Sequence, residues 1–373
     1  MATTGRSSSD GVAGEPGDAA SVVSSAEFVR VTAAPTGGSV AAAAMLAGAC
    51  DERSVPSQVR VARGTSTFTA AADDDDDVAA SGSHVTVGLD VEDADASLAG
   101  DVANEAFALA RDVGADPDAV LAFAGAVADG AEPASDVREA AGLDRRPGVA
   151  VPTADLAAGL AHSTLVHASF SGDEQAAGAT LAELELPPEL DESARRRLAS
   201  TVALDATGDA PARAADAVAA GVRPHETSEA VFETVEGYAD VLAALAWDAP
   251  GLGVALALGA ADRADALAAW RDHARDAHAT VRVAEPARHR GVVVADATDA
   301  HPTVARLVRD YRSDEPAALA VGDSAAALAT TDADARDVLP ESAGTHRLAV
   351  TETSETDDGD GEAAVVEAVR GAL

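Results

Sequence analysis

The 373-residue chain has no lysine, one cysteine and very few aromatics. Each shortage excludes something. A phosphate loop of the G-x-x-x-x-G-K-[ST] type needs a Lys ammonium, so Gly37-Gly38 cannot belong to one. Nor is it G-x-G-x-x-G, and Gly251-Leu-Gly253 lacks the third glycine that a dinucleotide fingerprint requires. One cysteine, Cys50, allows no intrachain disulfide and no cysteine-based zinc centre, and it points to a cytoplasmic location. Cys50 follows Met45 and Leu46 in an apolar helical pattern, where a buried structural thiol is expected. Two Trp, two Tyr and six Phe are all that could stack on bases. No apolar run approaches the roughly 20 residues that cross a membrane, so no membrane partner is expected. No G-x-S-x-G elbow is present. The opening MATTGRSSSDGVAGEPGDAAS lacks the charged-then-apolar order of a signal peptide, and residues 1–24 are expected to form a disordered tail.

What is abundant is acid. Asp and Glu number 64 against 26 basic residues, all Arg, for a formal charge of −38. With small apolar side chains and no Lys, this composition fits a protein that lives in concentrated salt. There the screening length shrinks to about 3 Å at 1 M and self-repulsion costs little. A surface that mimics nucleic acid is the alternative. The Asp73–Asp77 run lacks the spacing of calcium loops, since consecutive carboxylates cannot all face one ion, and reads as a solvated loop.

Hydrophobic residues make up 47%, enough for two domains of ordinary size. Residues 27–33 and 57–63 alternate like strands and flank an alanine-rich helix over 39–51, a βαβ start that predicts a parallel sheet. His84–Asp90 is the next strand. From about 98 to 222 the pattern is helical, with Asp at several N-cap positions. A helix over 226–246 and a long one over 263–279 follow. Strands are expected at 291–297, 317–321, 324–330 and 345–350, with helices at 303–311, 333–338 and 362–373. The fold class is therefore α/β: a parallel-sheet domain with a helical middle over 25–222, and a smaller α/β domain over 223–373.

The histidines give weak signals. His273 and His278 stand five apart, so they do not share a helix face, and a solvated helix surface is expected. His162 and His167 would flank a site or mark a helix end with a polar turn.

The middle of the chain is more specific. Ala122-Phe-Ala-Gly-Ala-Val-Ala-Asp-Gly130, then Ala158-Gly-Leu-Ala-His-Ser-Thr-Leu-Val-His-Ala-Ser-Phe-Ser-Gly-Asp-Glu174, then Leu181-Ala-Glu-Leu-Glu-Leu-Pro187 resemble the helical middle of archaeal RecJ-like proteins of the DHH phosphoesterase superfamily. The resemblance spans most of residues 27–350. It implies a DHH-like N-terminal domain and a smaller DHHA1-like C-terminal domain. The family opens with H-N-D-A-D-G before a helix, and Ala43–Cys50 matches that helix. The family's His and two Asp then fall on Ala34, Thr36 and Gly38. Its next Asp falls on Asp90, the one candidate remnant of a metal site, and its D-H-H signature has no counterpart. Two-metal hydrolysis needs several carboxylates and imidazoles around ions 3.5–4 Å apart. So no catalytic residue, no metal ligand set and no cofactor are expected; manganese or magnesium would enter only if the alternative holds, an active metal-dependent 5′–3′ single-strand exonuclease.

The resemblance also implies nucleic-acid contacts. A Gly-Gly-His-type loop corresponds to Ser342-Ala-Gly-Thr-His-Arg347, with Ala343 replacing the first Gly. Thr345, His346 and Arg347 are candidate phosphate contacts, and Arg288, Arg290, Arg306, Arg309 and Arg312 would line the same cleft. The plainer readings are a turn before the last strand and ion pairs to the abundant carboxylates. The implied partners are single-stranded DNA or RNA, and a protein such as an active RecJ-like nuclease or replication factors. The third reading is an unrelated α/β small-molecule binding protein.

Overall fold

The computed structural model of the chain describes residues 16–63, 82–89, 91, 94–187, 189–227, 230–339, 341–353 and 360–373. An N-terminal parallel sheet, a helical middle and a smaller mixed sheet follow one another along the chain, as the alternation of patterns predicts. The first sheet holds β1 (Val29–Ala33), β2 (Ser57–Val61), β3 (Ser83–Val87) and β4 (Ala96–Leu98) in the order β2-β1-β3-β4, all parallel. Val31 lies opposite Val59 and Val85, which fixes the register.

The Gly37–Glu52 helix crosses from β1 to β2 and is buried on nearly every side. It packs on β1 and against the Val102–Asp112, Ala119–Ala128 and Val235–Asp248 helices. That explains its alanine run: a helix apolar all round is an interior helix, and methyl side chains let several neighbours approach. The first core continues from this helix to Trp270 of the Arg263–Val283 helix. Helices over 235–270 therefore bury into the same core as the first sheet.

The second sheet holds β5 (Ala287–His289), β6 (Val292–Asp296), β7 (Ala317–Val321), β8 (Ala325–Thr330), β9 (Ala343–Gly344) and β10 (Leu348–Glu352) in the order β5-β6-β7-β8-β10-β9. Only β6 and β7 are parallel; the His301–Tyr311 helix joins them. β7 and β8 are buried throughout, between that helix and the core that includes Val369 of the Asp360–Ala372 helix.

Several expectations need correction. Residues 16–24, expected in the tail, lie in the Pro16–Ser25 helix, whose Ala19 and Val23 are buried. A strand that the sequence pattern does not show, β4, precedes the first helix of the helical middle. The helix expected from 226 starts at Val235, where the Thr234 hydroxyl accepts the Gly237 N–H, and Glu226 bridges Thr234 instead. Thr345 lies in the β9–β10 turn rather than in a strand. Gly251 and Gly253 sit inside the Pro250–Ala257 helix. His273 and His278 are both buried, at 2% and 0% exposure, not solvated. Asp90 and Asp73–Asp77 lie outside the described residues. Cys50 is buried, and burial pushes its thiol upward.

Candidate functional site

The turn after β1 carries Ala34, Thr36 and Gly38. Thr36 is the N-cap of the Gly37–Glu52 helix, and its hydroxyl oxygen accepts the Ser39 N–H at 3.2 Å. A second orphan donor is met from far along the chain. Asp129, at the C-cap of the Ala119–Ala128 helix, accepts the Gly38 N–H on Oδ1 at 2.9 Å and the Thr36 hydroxyl on Oδ2 at 3.0 Å. A carboxylate at a helix N-terminus is well placed, since the unsatisfied N–H groups and the dipole both favour negative charge. Glycine is required for it: a Cβ on Gly38 would lie 2.3 Å from Asp129 Oδ2. Burial pushes the Asp129 carboxyl up to about 6, against the pull of its two hydrogen bonds.

Ala34 faces an apolar pocket made with Leu89 and Ala343. β9 of the second sheet closes it, and the Gly344 N–H donates to Gly88 O at 3.1 Å. Thus the turn carries an alanine, a capping threonine and a glycine, and the Asp129 carboxylate beside it is already bonded to the Gly38 N–H and the Thr36 hydroxyl. Among the described residues no group of three or more His, Cys, Asp or Glu could hold a metal ion. The described residues of this turn do not fit a two-ion centre.

Beside this turn runs a cleft of about 190 Å³ between the first unit and the second sheet. Thr36, Gly37, Asp129 and Gly130 form one wall, and Thr303, Arg306, Arg309, Thr345 and Arg347 the other. Arg309 is committed: it grips Asp310 at 2.7 and 2.9 Å and donates to Thr330 O at 2.8 Å. Arg306 Nη2 donates to Thr164 O and Oγ1, both at 2.9 Å. The buried Asp240 accepts the Thr164 N–H at 2.9 Å, the Thr164 hydroxyl, and the Trp270 indole N–H at 3.0 Å. Burial pushes the Asp240 carboxyl up, and these donors hold it down. The network locks the cleft floor. Arg347 is exposed, its stem passes over Gly130, and its guanidinium has no hydrogen-bond or ion-pair partner among the described residues.

The candidate contacts therefore divide. Arg306, Arg309, Thr345 and Arg347 meet in the cleft. His346 lies over the start of the Val102–Asp112 helix, beside Asp101. Arg288 and Arg290 are exposed on or next to edge strand β5, across the sheet from β9 and β10. Arg312 faces away, donating to Val281 O at 2.7 Å and Ala284 O at 3.2 Å. Asp129 is not among the candidate residues of the sequence reading, although it is the penultimate residue of the Ala122–Gly130 stretch that carries the resemblance. A larger groove of about 490 Å³ lies elsewhere, where Arg146 and Arg195 both pair with Glu226.

Comparison with known structures places the architecture. CDC45 from Entamoeba histolytica superposes over 92% of this chain and 95% of its own, with a TM-score of 0.56 at 7% identity, a likeness of fold. The exonuclease RecJ bound to manganese covers 92% of this chain and 89% of its own at a TM-score of 0.44 and 14% identity. In sequence, the chain is 44% identical over 338 residues to "Uncharacterized protein rrnAC1427" of Haloarcula marismortui, spanning 89% of this chain and 88% of that protein. Residues 284–371 match the family model "Uncharacterized protein rrnAC1427, C-terminal domain". The chain belongs to the rrnAC1427 family. The haloarchaeal source of this relative agrees with the acidic, lysine-free composition.

Proposed function

We propose that this protein is a non-catalytic member of the RecJ-like group that binds single-stranded nucleic acid and serves as a binding or scaffold subunit in replication, repair or RNA processing. The observation that carries the reading is the pairing of a filled turn with an open arginine. Ala34, Thr36 and Gly38 replace the side chains that would hold ions, and Asp129 is spent on the helix N-terminus. Yet the adjoining cleft presents Arg306 and the unpaired Arg347. Hydrolysis without metal ligands has no means of neutralising the leaving oxygen. Phosphate binding needs only directed donors, and two guanidiniums supply them. In strong salt counterion release gives little, so directed hydrogen bonds carry most of the affinity.

The test has two arms, both in high-salt buffer. Manganese-dependent release of nucleotides from single strands is measured first, and none is expected. Release that is abolished by Asp90→Ala would sink the reading in favour of an active exonuclease. Fluorescence anisotropy of single strands follows, where Arg347→Gln should weaken binding several-fold; undetectable binding by the unmodified protein also ends it.

A further inference from the structure

The half-buried His167 and the buried His278 are flanked by three guanidiniums, Arg282, Arg306 and Arg312, which is unusual in a chain with 64 acidic and 26 basic residues. The 163–171 loop also holds one carboxylate, Asp205, which accepts the Ser169 N–H at 2.7 Å and its hydroxyl at 2.8 Å. The three guanidiniums are held by backbone carbonyls. Arg306 donates to Thr164 O, Arg282 to Ser171 O, and Arg312 to Val281 O and Ala284 O. A guanidinium has five N–H donors, so these bonds fix each group and still leave donors for a ligand. Arg282 and Arg312 are exposed.

The 163–171 loop links these groups to the cleft: Arg306, in the cleft, holds Thr164 near its start, and Arg282 holds Ser171 at its end. Leu165 lines the cleft, and its carbonyl accepts the Tyr311 hydroxyl at 3.2 Å. Two residues on, His167 Nδ1 lies 3.0 Å from His278 Nδ1. His278 Nε2 is 3.1 Å from Ser163 O, which assigns its proton to Nε2 and makes Nδ1 the acceptor of the His167 N–H. Both rings are then neutral, and the 163–171 loop is clamped to the Arg263–Val283 helix.

We infer that a bound single strand leaves the cleft past Arg306 and the 163–171 loop and lays its backbone on a basic ledge formed by Arg282 and Arg312. The inference rests on the nucleic-acid reading above and extends it: the site takes a polynucleotide several units long, not a mononucleotide. The shared chemistry is a chain of phosphodiesters, and DNA and RNA are separated by experiment.

The probes are oligothymidylate and oligouridylate of about four and about twenty nucleotides, titrated against the full chain at several salt concentrations. Each lost phosphate contact should lower the slope of log K against log salt by about 0.7 on a single strand. Arg282→Gln with Arg312→Gln should lower the slope for the long strand by about 1.4 and leave the short strand unchanged. Arg347→Gln should weaken both lengths. Because Arg312 caps the Val281 and Ala284 carbonyls at the helix end and Arg282 only that of Ser171, Arg282→Gln alone is the second variant, with an expected fall of about 0.7. The short strand's unchanged affinity reports that the fold survives. A long-strand slope unaffected by either variant overturns the ledge and leaves the cleft reading standing. Failure of the unmodified protein to bind any strand overturns both. Whichever polymer binds more tightly identifies the backbone the ledge prefers.

Discussion

Replacing Asp129 with Asn separates what its carboxylate does as a cap from what its charge costs. The two bonds survive the change in kind. The amide Oδ1 can still accept the Gly38 N–H, and the Thr36 hydroxyl can turn to accept from Nδ2. What disappears is an ionisation that the fold resists, because burial lifts the carboxyl from 3.8 to about 6. The sign follows from proton uptake: between those values the native state binds more protons than the unfolded chain, so stability falls as pH rises through about 6. At 1.36 kcal/mol per pH unit, the gap is worth about 3 kcal/mol. Urea unfolding of the parent and Asp129→Asn, in molar salt from about pH 4 to pH 8, gives the difference between the two proteins at each pH. Other carboxylates cancel in that difference. Asp129→Asn should gain about 3 kcal/mol relative to the parent across the range, nearly all of it before pH 7. A difference that stays flat with pH would refute the claim that this carboxylate is buried against the helix N-terminus.

Three further outcomes are expected. The His167–His278 pair acts with the opposite sign: burial lowers His167 to about 4 and His278 to about 3, so stability is full above pH 6.5 and lost as pH falls towards 4. His167→Phe should flatten that acid limb by about 3 kcal/mol, read from the pH dependence of the urea midpoint. Within the Gly37–Glu52 helix the same substitution should change sign with position. Gly38→Ala should destabilise by about 1–3 kcal/mol because its Cβ meets Asp129 and the Gly125 carbonyl, whereas Gly48→Ala has nothing within 4 Å and should stabilise by about 0.5–1 kcal/mol in thermal melts. Trp270→Phe removes one donor to Asp240 and should cost about 1–3 kcal/mol, with a lowered single-strand affinity if the Thr164 and Arg306 network holds the cleft floor.

The parts of this molecule legible in its sequence are those set by local periodicity. The alternation in β1 and β2, the alanine helix between them, and the Asp caps need only neighbours in the chain. β4 was hidden because Ala96-Ser-Leu98 is too short to show a period of two. The His273 and His278 reading failed for a different reason. Five residues apart, they do point to different sides of the helix, but both sides are covered. His273 bonds Asp248 at 2.8 Å and Thr303 at 2.8 Å, while His278 meets His167. Separation of two polar residues around a helix marks one as exposed only when one face is free, and periodicity does not record how many neighbours a helix has.

The candidate site follows the same division. That Ala34, Thr36 and Gly38 carry no metal-binding side chain is plain from the sequence, because an absent side chain needs no partner to be recognised. What occupies the space could not. Asp129 reaches Gly38 across 91 residues, and Ala343 covers Ala34 from the far end of the chain. The arginines show the limit most plainly. Arg306, Arg309 and Arg312 recur every three residues and look equivalent in sequence. Their partners divide them into a cleft group shared with Thr164, a cation neutralised by Asp310, and a ledge group on the carbonyls of the preceding long helix. Charge that has already found a carboxylate offers little to a phosphate. So on the proposed function the residues to test are the guanidiniums the fold leaves on carbonyls or unpaired, and only the three-dimensional arrangement says which those are.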